Sequence, residues 1–99
     1  MIKHIVLFKL KSFANNEEKA SKLIEIKECL LSLKDKVNEL LSIEVGINSN
    51  PNENFDIALD TSFNSMEDLE KYAKHPDHLA VGKIIREVLE ERSCVDYEM

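Results

Sequence analysis

The chain of 99 residues is poor in glycine, proline and cysteine, and it has no tryptophan. Its only two glycines, Gly46 and Gly82, lie far apart, so it has no glycine-rich loop of the kind that cradles nucleotide phosphates. Its two cysteines, Cys29 and Cys94, form neither a CxxC motif nor a disulfide framework. We therefore expect both to be small buried thiols that stay reduced, as is usual in the cytoplasm.

Basic charge and long hydrophobic runs are also scarce. Lysine and arginine total 13 against 19 aspartates and glutamates, which gives a net charge of −6, and no basic block is interleaved with aromatic residues. This composition disfavours nucleic acids and anionic membranes as partners. The longest uncharged apolar run, Ile5 to Phe8, is far shorter than the roughly 18 residues of a membrane span, and the first residues are typical of a strand rather than of a signal peptide. We expect a cytoplasmic protein.

Length and hydrophobic periodicity predict one α+β domain over residues 1–99. The predicted strands cover Ile2–Lys11, Leu41–Ile47, Phe55–Phe63 and Ser93–Glu98, and the predicted helices cover Asn16–Leu33, Ser65–Lys74 and Asp77–Glu90. Pro76 separates the last two helices, because proline disfavours helix at the residue before it. The order of elements is typical of the ferredoxin-like split βαβ fold, a four-stranded antiparallel sheet with helices on one face.

The first strand is apolar on both of its faces. His4, Val6 and Phe8 alternate with Ile5 and Leu7, and alternate residues of a strand point to opposite sides of the sheet. The helices of one chain cover only one side, so a second surface must cover Ile5 and Leu7. A chain this short also buries only about two-thirds of its unfolded surface. The pattern predicts a homodimer that forms through the sheet face opposite the helices.

Several segments occur in an order that resembles the stress-responsive dimeric α/β-barrel family. They are Lys3–Lys9, Ile43–Gly46, Phe63 followed by Ser65, Tyr72–His78 and Val95–Tyr97. The resemblance covers nearly the whole chain. It implies a barrel of eight strands, with one four-stranded sheet from each of two chains and the helices outside. Function follows less directly, because members of the family range from plant stress proteins without assigned chemistry to a polyketide cyclase.

The candidate site is built on two of the three histidines and one of the two tyrosines. Tyr72 and His78 flank the bend at Pro76, and His4 lies on the strand face that the helices cover. We expect the three side chains to converge at one end of an apolar pocket, the form of site that suits a small ligand. Its predicted walls are Val6, Phe8, Leu23, Phe55, Ile57, Leu59, Ile84 and Val88.

The family resemblance implies a reaction for these residues. In the plant polyketide cyclase, a tyrosine and a histidine at the spacing of Tyr72 and His78 carry an aldol-type ring closure that needs no cofactor, and a first-strand histidine lies nearby. Carried over, His78 is the general base and the Tyr72 hydroxyl orients it or donates to the enolate oxygen. Ile57 stands where that cyclase has a polar ring, so we do not expect the same substrate.

Alternative functions remain open at this stage. The first is a protein that binds a small apolar ligand or serves a structural role. In that case His4 is a core histidine, His75 caps a helix end near its negative pole and His78 holds the helix bend. The second is the cofactor-free cyclase or lyase that uses His78 and Tyr72. A monooxygenase of the related dimeric barrels is disfavoured by the lack of tryptophan. We expect no zinc site, because Pro76 interrupts the helix that would align His75 with His78; a divalent ion on backbone carbonyls is implied only by the resemblance.

Overall fold

The computed structural model describes all 99 residues, and it has the predicted ferredoxin-like architecture. The strands are β1 (Ile2–Leu10), β2 (Ser42–Ile47), β3 (Ile57–Phe63) and β4 (Leu89–Glu98), and the helices are α1 (Asn16–Ser32), α2 (Met66–Lys74) and α3 (Pro76–Arg86), with a short 3₁₀ turn over Leu33–Asp35. The sheet order is β2-β3-β1-β4, and every neighbouring pair is antiparallel. The predicted fold class is thus confirmed.

The central strand β1 sets the register of the sheet. Val6 lies opposite Leu59 of β3 on one side and opposite Cys94 of β4 on the other. Burial alternates along β1, with every even-numbered residue buried and every odd-numbered residue from Lys3 to Lys9 partly exposed. The even-numbered side faces the helices and joins a core of 18 buried apolar residues. His4 therefore belongs to the core face, as its alternation with Ile5 predicts.

Two boundaries near the end of the chain differ from the sequence prediction. Helix α3 ends at Arg86 rather than at Glu90, and β4 begins at Leu89 rather than at Ser93. The acidic run Glu90-Glu91 is typical of a solvated helix end, but pairing with β1 overrides this local preference. In the strand, Glu90 forms an ion pair with Lys9, with 3.1 Å between Oε2 and Nζ. The pairing brings β4 alongside the whole length of β1, with a bulge after Lys9.

The cysteines also differ from expectation. Both are free thiols, but Cys29 is only partly buried and Cys94 is exposed on β4. The prediction of two buried thiols was wrong for Cys94, because β4 is an edge strand whose outer side has no neighbour in this chain.

The bend between α2 and α3 depends on His75. This residue has extended backbone angles, with φ −63° and ψ 137°, so it ends α2 and serves as the N-cap of α3. Its Nδ1 accepts a hydrogen bond from the backbone N–H of Asp77 at 3.1 Å, and Pro76 occupies the first turn, where its missing N–H costs nothing. The sequence prediction placed His75 at the negative end of a helix; its side chain instead caps the positive end of the next one.

The face of the sheet away from the helices is apolar and uncovered. Val95 is 55% exposed and Tyr97 is 46% exposed, and Ile5 and Leu7 are half-buried between them and β3. No element of this chain crosses that face. No helix combines the length and the apolar character that a bilayer crossing requires.

We expect His75→Ala to lower the free energy of unfolding by about 1 kcal/mol, because one N–H at the start of α3 loses its cap. His75→Asn should retain most of the stability, since asparagine is a favourable N-cap. Urea denaturation of the three proteins measures the difference. Lys74→Ala is the control, because it removes only an exposed i,i+4 ion pair with Glu70. Equal losses in His75→Ala and His75→Asn would contradict the capping role.

Candidate functional site

A cavity of about 220 Å³ lies between α3 and the core face of the sheet. An adjoining groove of about 530 Å³ runs beside α2 toward the end of β4. His4, His78 and Arg92 line both spaces, so the two form one continuous site. The remaining walls of the cavity are largely apolar and comprise Val6, Phe8, Leu30, Leu59, Val81, Gly82, Ile85, Arg86 and Leu89.

Tyr72 is the most unusual side chain of this site. It is 1% exposed, its ring packs against Phe63 and His78 with centroid distances of 5.0 and 4.4 Å, and it lines the groove. Its buried hydroxyl has no hydrogen-bond partner. Leaving such a hydroxyl unpaired costs about 1–3 kcal/mol, so the tyrosine hydroxyl lowers the stability of the folded protein. Burial raises the pKa of Tyr72 to about 12, so the hydroxyl keeps its proton at neutral pH and is a hydrogen-bond donor without an acceptor.

His78 is positioned by the first turn of α3, and its protonation state follows from its contacts. Its Nδ1 lies 3.1 Å from the carbonyl oxygen of Ala73, which only accepts, so Nδ1 carries the proton. The neutral ring then has an unprotonated Nε2. Burial lowers the pKa of His78, the Ala73 carbonyl opposes that shift, and electrostatic interactions with His4 and with the cations Arg92 and Arg86 add to it. At neutral pH the ring is therefore a neutral base.

His4 is held by a polar cluster on β4. Its Nδ1 forms a short hydrogen bond with the Asp96 carboxylate, which lies directly opposite in the register, and the backbone oxygen of His4 accepts from Thr61 Oγ1 at 3.1 Å. Cys94 Sγ lies 3.6 Å from His4 Nδ1 and 3.7 Å from Asp96 Oδ1. Burial and the nearby Asp96 carboxylate raise the pKa of the Cys94 thiol, so it is not a ready nucleophile.

The same cluster offers the donor types of a zinc site. One ligand atom each from His4, Cys94 and Asp96 lies within 4.8 Å of the others. The sequence did not reveal this combination because only the pairing of β4 with β1 brings the two ends of the chain together. An ion there would replace the hydrogen bond between His4 and Asp96. Since that bond already satisfies both groups, we assign the cluster to orientation of the His4 ring.

The structure brings the three predicted polar residues together. His4 and His78 line both parts of the site, and Tyr72 lines the groove between them. Of the predicted apolar walls, Val6, Phe8 and Leu59 line the cavity. Leu23 lies in the core away from it.

The other predicted walls lie elsewhere. Phe55 and Ile57 border a separate depression of about 410 Å³ that also contains Leu7. Ile84 and Val88 are partly exposed and outside the cavity, because Val81 and Ile85 form the inward side of α3 and the helix ends before Val88.

Sequence reasoning missed the contribution of β4. Arg92, Cys94 and Asp96 share the face on which β1 presents Phe8, Val6 and His4, and each lies directly opposite one of them. The alternation of Arg92, Cys94 and Asp96 indicates that the three share one face of a strand. The predicted strand began at Ser93 and so left Arg92 out, whereas β4 begins at Leu89. Arg86 was missed because a charged residue inside a predicted amphipathic helix is normally assigned to its solvated side.

The model of the Stress responsive A/B Barrel Domain matches residues 2–99. The chain belongs to this family. No curated protein sequence matches the chain.

Solved structures of stress-responsive A/B barrel proteins and related folds resemble this one. A dimeric protein of unknown function with a ferredoxin-like fold from Bacteroides fragilis is 46% identical, with a TM-score of 0.93 over 99% of this chain and 95% of that chain. A dimeric ferredoxin-like protein of unknown function from Thermobifida fusca is 24% identical, with a TM-score of 0.85 over 99% and 90%. The hydroxynitrile lyase of Passiflora edulis is 20% identical, with a TM-score of 0.81 over 97% and 90%, which shows a shared fold.

We expect the His78 ring to titrate below its usual pKa of 6.5, in the direction that burial imposes. As the pH falls through this range, the unfolded chain binds the proton first, so His78 lowers stability in acid. NMR titration of the ring measures the pKa, with His78→Gln to assign the signal. His78→Gln should lose less stability than the wild type on acidification. A His78 pKa above 6.5 would contradict the assignment of a neutral base.

Proposed function

We propose that this protein binds a small carbonyl compound and catalyses proton transfer next to its carbonyl group without a cofactor. The observation that carries the proposal is the buried, unpartnered Tyr72 hydroxyl packed against a neutral His78. A donor that finds no acceptor in the chain suits an oxygen supplied by the ligand. A base whose lone pair is free suits the carbon-bound proton beside that oxygen.

The proposed reaction is of the aldol type. His78 Nε2 removes a proton from the carbon next to the carbonyl, and the electron pair of that C–H bond moves into the enolate, whose oxygen accepts a hydrogen bond from Tyr72. The enolate carbon then attacks a second carbonyl, which becomes an alkoxide and takes the proton back from His78. The reverse sequence cleaves the same carbon–carbon bond. His4, oriented by Asp96, lies in the same site and adds a polar wall.

A second candidate is ligand binding without turnover. The apolar walls of the cavity support it, because they supply the burial that holds a small ligand whether or not a reaction follows. The two candidates share a site and differ only in the role of His78.

Exchange of protons for deuterium next to the carbonyl of a small ketone, hexan-2-one, tests the first candidate by NMR in D₂O. His78→Ala should slow the enzyme-dependent exchange by about 10²-fold or more, the typical contribution of a general base. Tyr72→Phe should slow it by about 10²-fold, the typical contribution of one oxyanion donor. Its melting temperature should not fall, because the lost hydroxyl has no partner.

Leu79→Ala is the matched control, since Leu79 follows His78 and is exposed. It should leave the exchange rate unchanged. Equal exchange rates in the wild type and His78→Ala would refute the role of His78 as a base. Ligand binding without turnover would then be the function.

We also propose a homodimer that forms through the uncovered apolar face of the sheet. The proteins from Bacteroides fragilis and Thermobifida fusca are described as dimeric. Ile5, Leu7, Val95 and Tyr97 give this chain an apolar face that none of its own elements covers. We place the dimer in the cytoplasm, where free thiols such as Cys29 and Cys94 are usual.

Sedimentation at low micromolar concentration should give twice the chain mass of 11.4 kDa. Leu7→Asp should shift the protein to the monomer, since burying a large apolar side chain contributes about 1.5–3 kcal/mol and a buried unpaired charge costs more. Ile24→Asp is the control, because Ile24 is an exposed apolar residue of α1 that lies off the sheet face. A monomeric wild type, or a dimer unaffected by Leu7→Asp, would refute this interface.

A further inference from the structure

The chain has two arginines, Arg86 and Arg92, and both line the same cavity. Neither forms an ion pair with a carboxylate, although the chain contains 19 aspartates and glutamates. The protein has a net charge of −6, yet its two guanidinium groups lie at one cavity without a carboxylate partner. A guanidinium stays charged at all working pH values, so both carry a full charge at this wall.

The cavity contains nothing that would balance those charges. Its lining includes no acidic residue, and apart from the two arginines, His4, His78 and Gly82 it is apolar. The adjoining groove carries three carboxylates, those of Glu67, Glu70 and Asp96. Asp96 is hydrogen bonded to His4 and Glu70 pairs with Lys74, and none of the three forms an ion pair with an arginine. The cavity thus combines an apolar body with one positively charged wall.

Both arginines are exposed overall, and their positions in the chain bring them to this wall. Arg92 lies opposite Phe8 in the register and therefore on the core face of β4. Arg86 folds back along α3, and a Cβ built on Gly82 would lie 3.2 Å from its Nη1. Glycine inside a helix lowers helix stability relative to alanine. Here it leaves room for the Arg86 guanidinium next to the cavity.

We propose that the ligand of this cavity carries a carboxylate, which Arg86 and Arg92 bind while its apolar remainder fills the space toward Val6 and Leu59. The inference rests on the proposed function, in that the same molecule presents its carbonyl to His78 and Tyr72; the substrate class is then a small oxo acid. A guanidinium pairs with a carboxylate through two parallel N–H···O bonds, which fixes orientation as well as charge. The volume of about 220 Å³ is below the roughly 300–1,000 Å³ of pockets for drug-sized ligands, so the molecule is small.

The test compares two probes of matched shape, hexanoate and hexanamide, by calorimetric titration at neutral pH. The wild type should bind hexanoate at least about tenfold more tightly, because only the carboxylate forms charge-assisted bonds with both guanidinium groups. Arg86→Gln and Arg92→Gln should each remove most of this preference while hexanamide binding changes little. Lys83→Gln is the control for net charge, since Lys83 is an exposed residue of α3 outside the cavity lining.

A third variant addresses the position of Arg86. Gly82→Ala should weaken hexanoate binding without lowering the melting temperature, because the added methyl group displaces only the mobile end of Arg86. Circular dichroism confirms that each variant is folded before titration.

The outcomes separate this inference from the proposed reaction. His78→Ala should keep the preference for hexanoate, so a carboxylate preference without any deuterium exchange would support the inference and refute the reaction. Equal binding of hexanoate and hexanamide, no binding of hexanoate, or a preference that survives in both arginine variants would overturn the inference, whatever the exchange experiment shows. Hexyl phosphate that binds about tenfold more tightly than hexanoate would also overturn it, by assigning the arginines to a phosphate.

Discussion

The pairing of β1 with β4 is the constraint on which the site depends. It aligns Phe8 with Arg92, Val6 with Cys94 and His4 with Asp96, so three core-facing residues of the central strand meet a polar or thiol side chain on the edge strand. The pairing also ends α3 at Arg86, because the chain must turn at Val88 to enter the strand, where the N–H of Lys11 donates to the Val88 oxygen at 2.8 Å. One set of backbone hydrogen bonds thereby places His4, its partner Asp96 and Arg92 at the cavity, and it sets the end of the helix that carries Arg86.

A second constraint acts on the helices. The extended backbone of His75 interrupts the helical path, and its ring replaces the missing partner at the start of α3. Tyr72 on one side of the bend and His78 on the other come into ring contact, with Ala73 supplying the carbonyl that selects the tautomer. A continuous helix would place residues six apart on different sides, so the bend creates the pair.

The sequence predicted the fold, the two faces of β1 and the convergence of His4, Tyr72 and His78, because these follow from alternation, from Pro76 and from the family resemblance. It did not predict the wall formed by Arg86 and Arg92. Local preference favoured helix through Glu90, and only long-range pairing with β1 converts Leu89 to Arg92 into strand. Val88 was assigned to the pocket for the same reason, since a longer α3 would have extended its inward side past it. Ile84 was assigned to the pocket by helical spacing, but Val81 and Ile85 form the inward side of α3.

Tyr72 shows where stability gives way to function in this protein. Phenylalanine would fill the same space between Phe63 and His78 without burying a hydroxyl that has no partner. Breaks of this kind in an otherwise consistent structure are expected at functional sites. Other polar groups of the site also lack partners. His78 is neutral and its Nε2 is free, and the charged Arg86 and Arg92 form no ion pair. A donor, a base and two cations thus all lack partners within the chain, and a ligand with a carbonyl and a carboxylate would satisfy every one of them.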